Sequence, residues 1–390
     1  MSTPAPPPLD LAPAAPDSKD WTWVLERPCD DCGFAAGDQT PADVARELRA
    51  GVPLWRAVLA APDAAVRPDP LTWSPLEYAA HVRDVHRTFT ERLALMMEHD
   101  APQFPNWDQD ATAVEERYFE QDPAVVAADL AAAAEAVTAA YDAVPDDALD
   151  RPGLRSNGSA FTIASLARYH LHDVVHHQWD VRTAATRAVY SQGAEAYAGG
   201  TQAATDRVLA TLDDLAARLG AGARVLEIGS GGGRDALLLE ERGLSVRRTD
   251  VAPGFVERLR AAGHDADVLD PLTSPDNVLA DAARDGAPYD GVWANACLLH
   301  VQRDDLPTVL ARLHGVVRPG GVLRLSLKEG DGGGFSSHGS IDSPRWFTYW
   351  RPPALVDVLD GAGWDVVDTG DGDGLRGERW LMVAAVRRPD

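Results

Sequence analysis

At 390 residues the chain is long enough for two domains, each burying its own core, and too long to fold comfortably around one. Its formal charge of −24 argues against nucleic acid or an anionic membrane surface as partner, because both are held by clustered Lys and Arg that release counterions. Small-molecule chemistry is favoured.

Lysine occurs only at Lys19 and Lys328, while arginine and alanine are abundant, a composition that suggests a GC-rich bacterial genome. The N-terminus, Met1-Ser-Thr-Pro-Ala-Pro-Pro-Pro-Leu-Asp10, has neither the basic head nor the apolar core of a signal peptide, and no run of about 18 apolar residues is expected to span a membrane. Cys29, Cys32 and Cys297 are too few for a disulfide framework, so a reducing cytoplasm is the expected compartment.

Residues 1–19 are rich in Pro and Ala and read as a disordered tail. Beyond Trp21, four segments carry helical period and start signals. Thr40-Pro41-Ala42-Asp43 and Ser74-Pro75-Leu76-Glu77 each put a hydroxyl cap before Pro, with an acid three residues after the cap. Asp122-Pro123 opens a third, alanine-rich helix to Val144. Thr162 caps a fourth that runs through Leu166, Val174 and Trp179 towards Ala184. Four long helices without a strand pattern predict a four-helix bundle over residues 20–186.

The histidines of this half cluster. His81 lies about two turns into the second helix, and His172 and His176 share one face of the fourth. Three imidazoles from two helices make a facial site with open positions, suited to Zn²⁺, Ni²⁺ or Fe²⁺; the alternative is that they are capped or surface histidines beside Asp84, Asp173 and Asp180. Cys29-Asp-Asp-Cys32 has the spacing of half a zinc site, but with no second CxxC or nearby His pair to complete it, a redox pair or a structural turn is the expectation.

A His seven residues after a Ser-Pro-x-Glu helix start, with His172-x-x-x-His176-His177 near the end of the last helix, resembles the DinB-like family of metal-binding four-helix bundles. That family includes thiol-dependent transferases and maleylpyruvate isomerases. The resemblance covers about Trp21 to Ala184 and implies His81, His172 and His176 as metal ligands. His177, about 100° further round the helix, is expected to point away, and His86 and His170 match nothing in the pattern.

Between about Thr183 and Gly200 the helical period lapses, marking the junction; Thr201 to Leu219 is then a helix. Val225, Leu226 and Ile228 read as a buried strand, Gly229, Gly231 and Gly233 as a tight turn, and Asp235–Glu240 as a helix. The turn is expected to offer unpaired backbone N–H groups, and Asp250, ending a second strand, to accept from both hydroxyls of a ribose. The dinucleotide fingerprint needs a glycine where Arg234 stands, which disfavours a pyrophosphate. Further strands at 266–270, 289–300 and 322–328 alternate with helices, giving a doubly wound parallel sheet, and strands at 364–367 and 380–386 complete it with an antiparallel finish.

Glu227 before Gly-Ser-Gly-Gly-Gly233, Asp290 in the place of an Asp that precedes the fourth strand, Leu298-Leu-His300 after it and Arg318-Pro-Gly-Gly321 before the fifth resemble class I S-adenosylmethionine (SAM) methyltransferases. The resemblance spans about Tyr190 to Arg387. It implies a Rossmann-like, seven-stranded methyltransferase domain over residues 187–390, following the bundle in a two-domain α and α/β chain. It also implies a SAM site formed by Glu227, Gly229, Ser230, Gly231, Gly233, Asp250, Val251, Asp270, Asn295, Ala296 and Leu298. Val251 is expected to cover one face of adenine, Asp270 to accept from its amino group, and Asn295, Ala296 and Leu298 to face the methionine end. Tyr190 and Tyr197 either close over the cofactor or pack on the sheet. His300 is either a general base or a structural residue, and Gly332–Gly334 an expected lid hinge.

Together these readings anticipate a cytoplasmic SAM-dependent methyltransferase acting on a small molecule, with the metal bundle binding or activating an acceptor such as a low-molecular-weight thiol. The alternatives are a bifunctional enzyme whose bundle runs its own thiol transfer or isomerisation, and a SAM-binding regulatory protein with an inactive bundle.

Overall fold

Capping chemistry sets the N-terminal helices in the computed structural model, which describes residues 21–389 apart from 38, 69, 106, 157, 283–285 and 375–376. The expected tail at 1–19 lies outside the described residues. The chain divides into two compact units, Met1–Ala185 and Thr186–Asp390.

In the first unit α1 (Pro41–Leu59) and α2 (Pro75–Glu98) start behind Thr40 and Ser74, each in a complete capping box. At α2 the Glu77 amide donates to the Ser74 hydroxyl at 3.2 Å, and the Ser74 amide donates to the Glu77 carboxylate at 2.8 Å. Arg67 then donates to the same buried carboxylate at 2.8 Å, so a charge that would be costly alone is paired. After the short α3 (Gln109–Glu115), α4 (Pro123–Asp142) is capped by Asp122, and α5 (Ile163–Asp180) by Thr162. The helices α1, α2, α4 and α5 pack around Val44, Leu48, Trp55, Val82, Phe89, Leu130, Val137 and Leu166, all buried.

Three sequence expectations change here. A two-stranded hairpin, β1 (Pro152–Leu154) with β2 (Ala160–Thr162), precedes α5; strands of three residues are too short to show a period. The junction is helical, through α6 (Arg182–Gln192) and α7 (Ala194–Gly200), because alanine supports a helix without an amphipathic stripe. Thirdly, α4 is long and apolar enough by length and composition to cross a membrane. Its Val126, Leu130, Ala134, Val137 and Tyr141 are buried inside the bundle, as in a core helix.

In the second unit α8 (Asp206–Leu219) leads into β3 (Arg224–Ile228), α9 (Arg234–Glu241), β4 (Ser245–Asp250), α10 (Pro253–Ala261) and β5 (Ala266–Val268). After α11 (Asp276–Leu279) come β6 (Tyr289–Asn295), α12 (Leu306–Val316) and β7 (Val317–Lys328). A separate antiparallel pair, β8 (Gly333–His338) and β9 (Ile341–Thr348), occupies the expected lid insertion; it is a hairpin whose Arg345 and Phe347 are buried. Then α13 (Pro352–Gly361), β10 (Trp364–Asp373) and β11 (Arg379–Arg387) finish the chain.

The main sheet runs β10-β11-β7-β6-β3-β4-β5. Strands β5, β4, β3, β6 and β7 are parallel; β11 pairs antiparallel with β7, and β10 pairs antiparallel with β11 at the edge. Strand order reverses between β3 and β6, so the crevice at their carboxyl ends is where a doubly wound sheet takes its ligand.

Candidate functional site

At the end of β3 the chain turns through Gly229 (φ +73°), Gly231 (φ +51°) and Gly233 (φ +83°), a backbone path that side-chain-bearing residues rarely follow. Neighbours reinforce the requirement. A β-carbon on Gly229 would lie 2.3 Å from Cys297 Cβ, and one on Gly233 2.5 Å from Leu259 Cδ2. The loop also holds itself: the amide of Ser230 donates to the Thr249 carbonyl at 2.9 Å, that of Gly233 to the Ser230 carbonyl at 2.8 Å, and that of Gly231 to Asp250 at 2.9 Å. These three donors, expected from the sequence to be unpaired, are spent on fixing the turn.

Beneath the loop Glu227 is buried, and the Ser230 hydroxyl donates to its carboxyl. Burial pushes the Glu227 carboxyl up to about 8, against the pull of that hydroxyl, so it is protonated at neutral pH. Asp250 is pushed up to about 6 by burial, while the amides of Ala252, Gly231 and Val251 favour its charge. One Asp250 oxygen accepts from Gly231 and the other from Ala252 at 2.9 Å. Val251 follows, half-buried.

The remaining expected contacts divide. Asp270 caps its own turn, accepting from the Leu272 amide at 2.8 Å and the Thr273 hydroxyl at 3.0 Å. Asn295 gives its amide to Asp235 at 2.8 Å and accepts from the Ser326 hydroxyl at 2.7 Å. Ala296 holds a left-handed φ of 54°, pinned by its amide donating to Ser326 at 2.8 Å. Leu298 is a correction: it is buried among Leu226, Ile228 and Leu299 in the core, because the short helical turn after β6 rolls it inward. Sequence reasoning missed Asp235, which also accepts from the Trp293 indole at 3.0 Å and ties the start of α9 to β6. Its position two residues after the last loop glycine was the available signal.

Tyr197 and Tyr190 lie over this end of the sheet. The Tyr197 ring comes within 3.4 Å of a β-carbon built on Gly231, and both tyrosines pack with Phe255. His300 Nδ1 lies 2.6 Å from the Trp346 carbonyl and must donate to it. In the neutral ring Nε2 is then the acceptor for the Tyr190 hydroxyl at 3.0 Å. This fixes the ring's tautomer and makes His300 a tether between Tyr190 and β9.

In the first unit the three expected metal ligands do not form one set. Among the described residues, His81 groups with Asp173 and His177, whereas His172 and His176 group with Cys29 and Cys32. The reason is helical phase: Asp173 and His177 sit one residue, about 100°, round α5 from His172 and His176, and theirs is the stripe that meets His81. Asp173 Oδ1 is 3.5 Å from His81 Nε2 and 3.7 Å from His177 Nε2. Asp180 accepts at 2.8 Å from His177 Nδ1, leaving Nε2 for Asp173 or a cation. Burial lowers the His81 pKa despite Asp173, so its imidazole is neutral, and neither nitrogen has a hydrogen-bond partner. Asp173 and His177 line a cavity of about 340 Å³ with Trp73, Tyr78 and Tyr169. His86 and His170 belong elsewhere, bonded to each other at 2.9 Å, with His170 reaching the Tyr141 hydroxyl at 3.0 Å.

The family model described as a methyltransferase domain matches residues 226–325, and that of the DinB superfamily matches residues 61–181. The chain joins a DinB-like bundle to a class I SAM-dependent methyltransferase domain. No curated protein matches it. Among solved structures, it is similar to 1,6-didemethyltoxoflavin-N1-methyltransferase of Burkholderia thailandensis, at 27% identity over 52% of this chain and 88% of that one, with a TM-score of 0.40. It is also similar to a SAM-dependent methyltransferase of Methanosarcina mazei (16% identity, 45% and 96% covered, TM-score 0.37) and to the CcbJ methyltransferase of Streptomyces caelestis (16%, 52% and 98%, 0.40).

The methyltransferase domain's residues fit SAM. A glycine turn without β-carbons admits close approach, and the Asp250 carboxylate, with about four lone-pair sites, keeps acceptor capacity for a ribose hydroxyl beyond the backbone amides it accepts. The bundle's residues fit a divalent cation: His81 is a buried imidazole with unpartnered nitrogens beside a carboxylate and a second imidazole. Two nitrogens and one oxygen on one side leave positions open.

Proposed function

We propose that this methyltransferase acts on a small molecule, and that its DinB-like bundle carries a metal centre of His81, Asp173 and His177 which binds a low-molecular-weight thiol acceptor. SAM supplies an electrophilic methyl group. The chain's part is to hold it over the loop at 229–233, with Asp250 orienting the ribose and the Tyr190–His300 pair walling the methionine end. In-line displacement then needs a positioned, deprotonated nucleophile more than a strong acid or base.

The observation that carries the bundle's part is the placement of Asp173 and His177 on the wall of the 340 Å³ cavity, with the buried His81 Nε2 3.5 Å from Asp173 Oδ1. A cation held by these residues would lie beside a small-molecule-sized space walled in part by Trp73, Tyr78 and Tyr169. A metal held by His81, Asp173 and His177 would lower the pKa of a thiol bound to it. Release of S-adenosylhomocysteine (SAH) with a panel of small thiols, amines and alcohols tests this. The expected result is turnover with thiols, lowered at least about tenfold in Asp173→Asn, with SAH affinity unchanged. Turnover confined to amines or alcohols and indifferent to Asp173→Asn contradicts the thiol and metal reading, and leaves the methyltransferase assignment standing.

A further inference from the structure

The segment before α1 brings the CxxC pair onto α5. Cys29 is buried, and its Sγ lies 3.6 Å from Nδ1 of His176. One ligand atom from each of Cys29, Cys32, His172 and His176 falls within 4.8 Å of every other. For a tetrahedral Zn²⁺ with bonds of about 2.3 Å to sulfur and 2.0–2.1 Å to nitrogen, the sulfur-to-nitrogen edge is about 3.6 Å. The Cys29–His176 separation already has that length.

The local backbone is built for such a site. The Gly33 amide donates to the Cys29 carbonyl at 3.0 Å and the Cys29 amide to the Phe34 carbonyl at 2.8 Å, closing a tight loop that leaves through Gly33 at φ +73°. The Phe34 amide points at the Cys32 sulfur. On the other side, Nε2 of His172 is buried and has no hydrogen-bond partner. Trp21 packs at a tilt against both histidines, with ring centroids 5.4 and 4.8 Å away, and Phe34 lies 5.5 Å from His172. Four soft and borderline donors under an aromatic roof match what a closed zinc centre requires.

We propose that Cys29, Cys32, His172 and His176 bind one Zn²⁺ in a four-coordinate structural site, separate from the His81–Asp173–His177 centre, that clips the N-terminal segment to α5. Binding releases the two thiol protons to solvent, and the two thiolates neutralise the cation. With all four positions filled by protein, the site has no place for substrate, so its contribution is to folding. It joins ligands more than a hundred residues apart, where closing a long loop removes the most chain entropy from the unfolded state.

The test uses the full chain, reduced, stripped of metal and titrated with Co²⁺. Thiolate-to-cobalt charge-transfer absorption is expected to saturate at one equivalent, to vanish in the Cys29→Ser/Cys32→Ser variant and to persist in Asp173→Asn. Wild-type protein provides a second readout that does not depend on a variant folding. In the zinc-loaded chain Cys29 and Cys32 are expected to react with a thiol reagent at least tenfold more slowly than after chelation, with a fall in melting temperature when the metal is removed. Absence of the charge-transfer band in wild type, its survival in the double serine variant, or thiols equally reactive with and without zinc would overturn the proposal. Recovery of Cys29 and Cys32 as a disulfide in zinc-replete protein would overturn it too.

Discussion

Cys297 stands on Gly229: its β-carbon occupies the place where a side chain at 229 would begin, and its thiol donates to the Ile228 carbonyl at 3.0 Å. The end of β3 and the chain leaving β6 are thus locked together across the switch point of the sheet. Gly229→Ala must strain a positive φ and displace backbone-anchored atoms, which together cost about 2–5 kcal/mol. Urea unfolding is expected to show that loss, and SAH titration at least a tenfold weaker affinity. Because the clash is with Cβ, Cys297→Ala does not rescue the variant. An unchanged midpoint in Gly229→Ala contradicts this arrangement.

Glu227 predicts a pH signature. Its folded pKa is raised from the ordinary 4.5 to about 8 by burial, so over that interval the native state keeps a proton that the unfolded chain has lost. Its contribution to stability is full below about 4.5 and disappears as pH rises through 8, with a slope of at most about 1.4 kcal/mol per pH unit. Glu227→Gln, which mimics the protonated form, is expected to flatten that stretch of the stability curve. The measurement is denaturant unfolding of both proteins from pH 5 to 8; parallel curves would show that Glu227 is ionised when folded.

Most of the fold was legible because it is written in local chemistry. Thr40, Ser74, Asp122 and Thr162 each cap the helix expected of them, and the apolar runs around Leu226, Val292 and Leu323 became adjacent strands. The metal ligands were harder. His172 and Asp173 are neighbours in sequence but face different partners, and helical phase alone does not say which stripe α2 will meet. Cys29 and Cys32 lie in a non-periodic segment, so nothing in the sequence reported that they would arrive beside His176. Leu298 was misplaced for a related reason: a strand-end position reads as exposed to the crevice until a short helical turn rolls it into the core.

The Tyr190–His300 bond predicts coupling. With Nδ1 bonded to the Trp346 carbonyl and Nε2 bonded to the Tyr190 hydroxyl, His300 is expected to position Tyr190 and not to shuttle the acceptor's proton. Tyr190→Phe and His300→Ala are each expected to lower kcat by about 3- to 10-fold, and the double variant by little more than the worse single change, because both remove one bond. A collapse of activity in His300→Ala alone, with loss of one limb of the pH–rate profile, would make it a proton-transfer group.

Two histidines of α2 separate structure from metal. His81→Ala is expected to remove the cation bound with Asp173 and His177 while leaving the thiolate-type centre loaded. His86→Ala leaves His170 Nε2 without its partner inside the bundle and is expected to cost about 1–3 kcal/mol in denaturant unfolding, with metal content unchanged. Metal analysis and unfolding of the two purified variants compare them directly; the reverse pattern contradicts the assignment of His81.

Isothermal titration of the full chain with SAH, in wild type and Asp250→Ala, tests the central claim most directly. One equivalent is expected to bind wild type and to bind Asp250→Ala at least tenfold more weakly, with no heat from NAD(H) or NADP(H). Binding of a nicotinamide dinucleotide without SAH, or an SAH affinity indifferent to residue 250, would contradict the account.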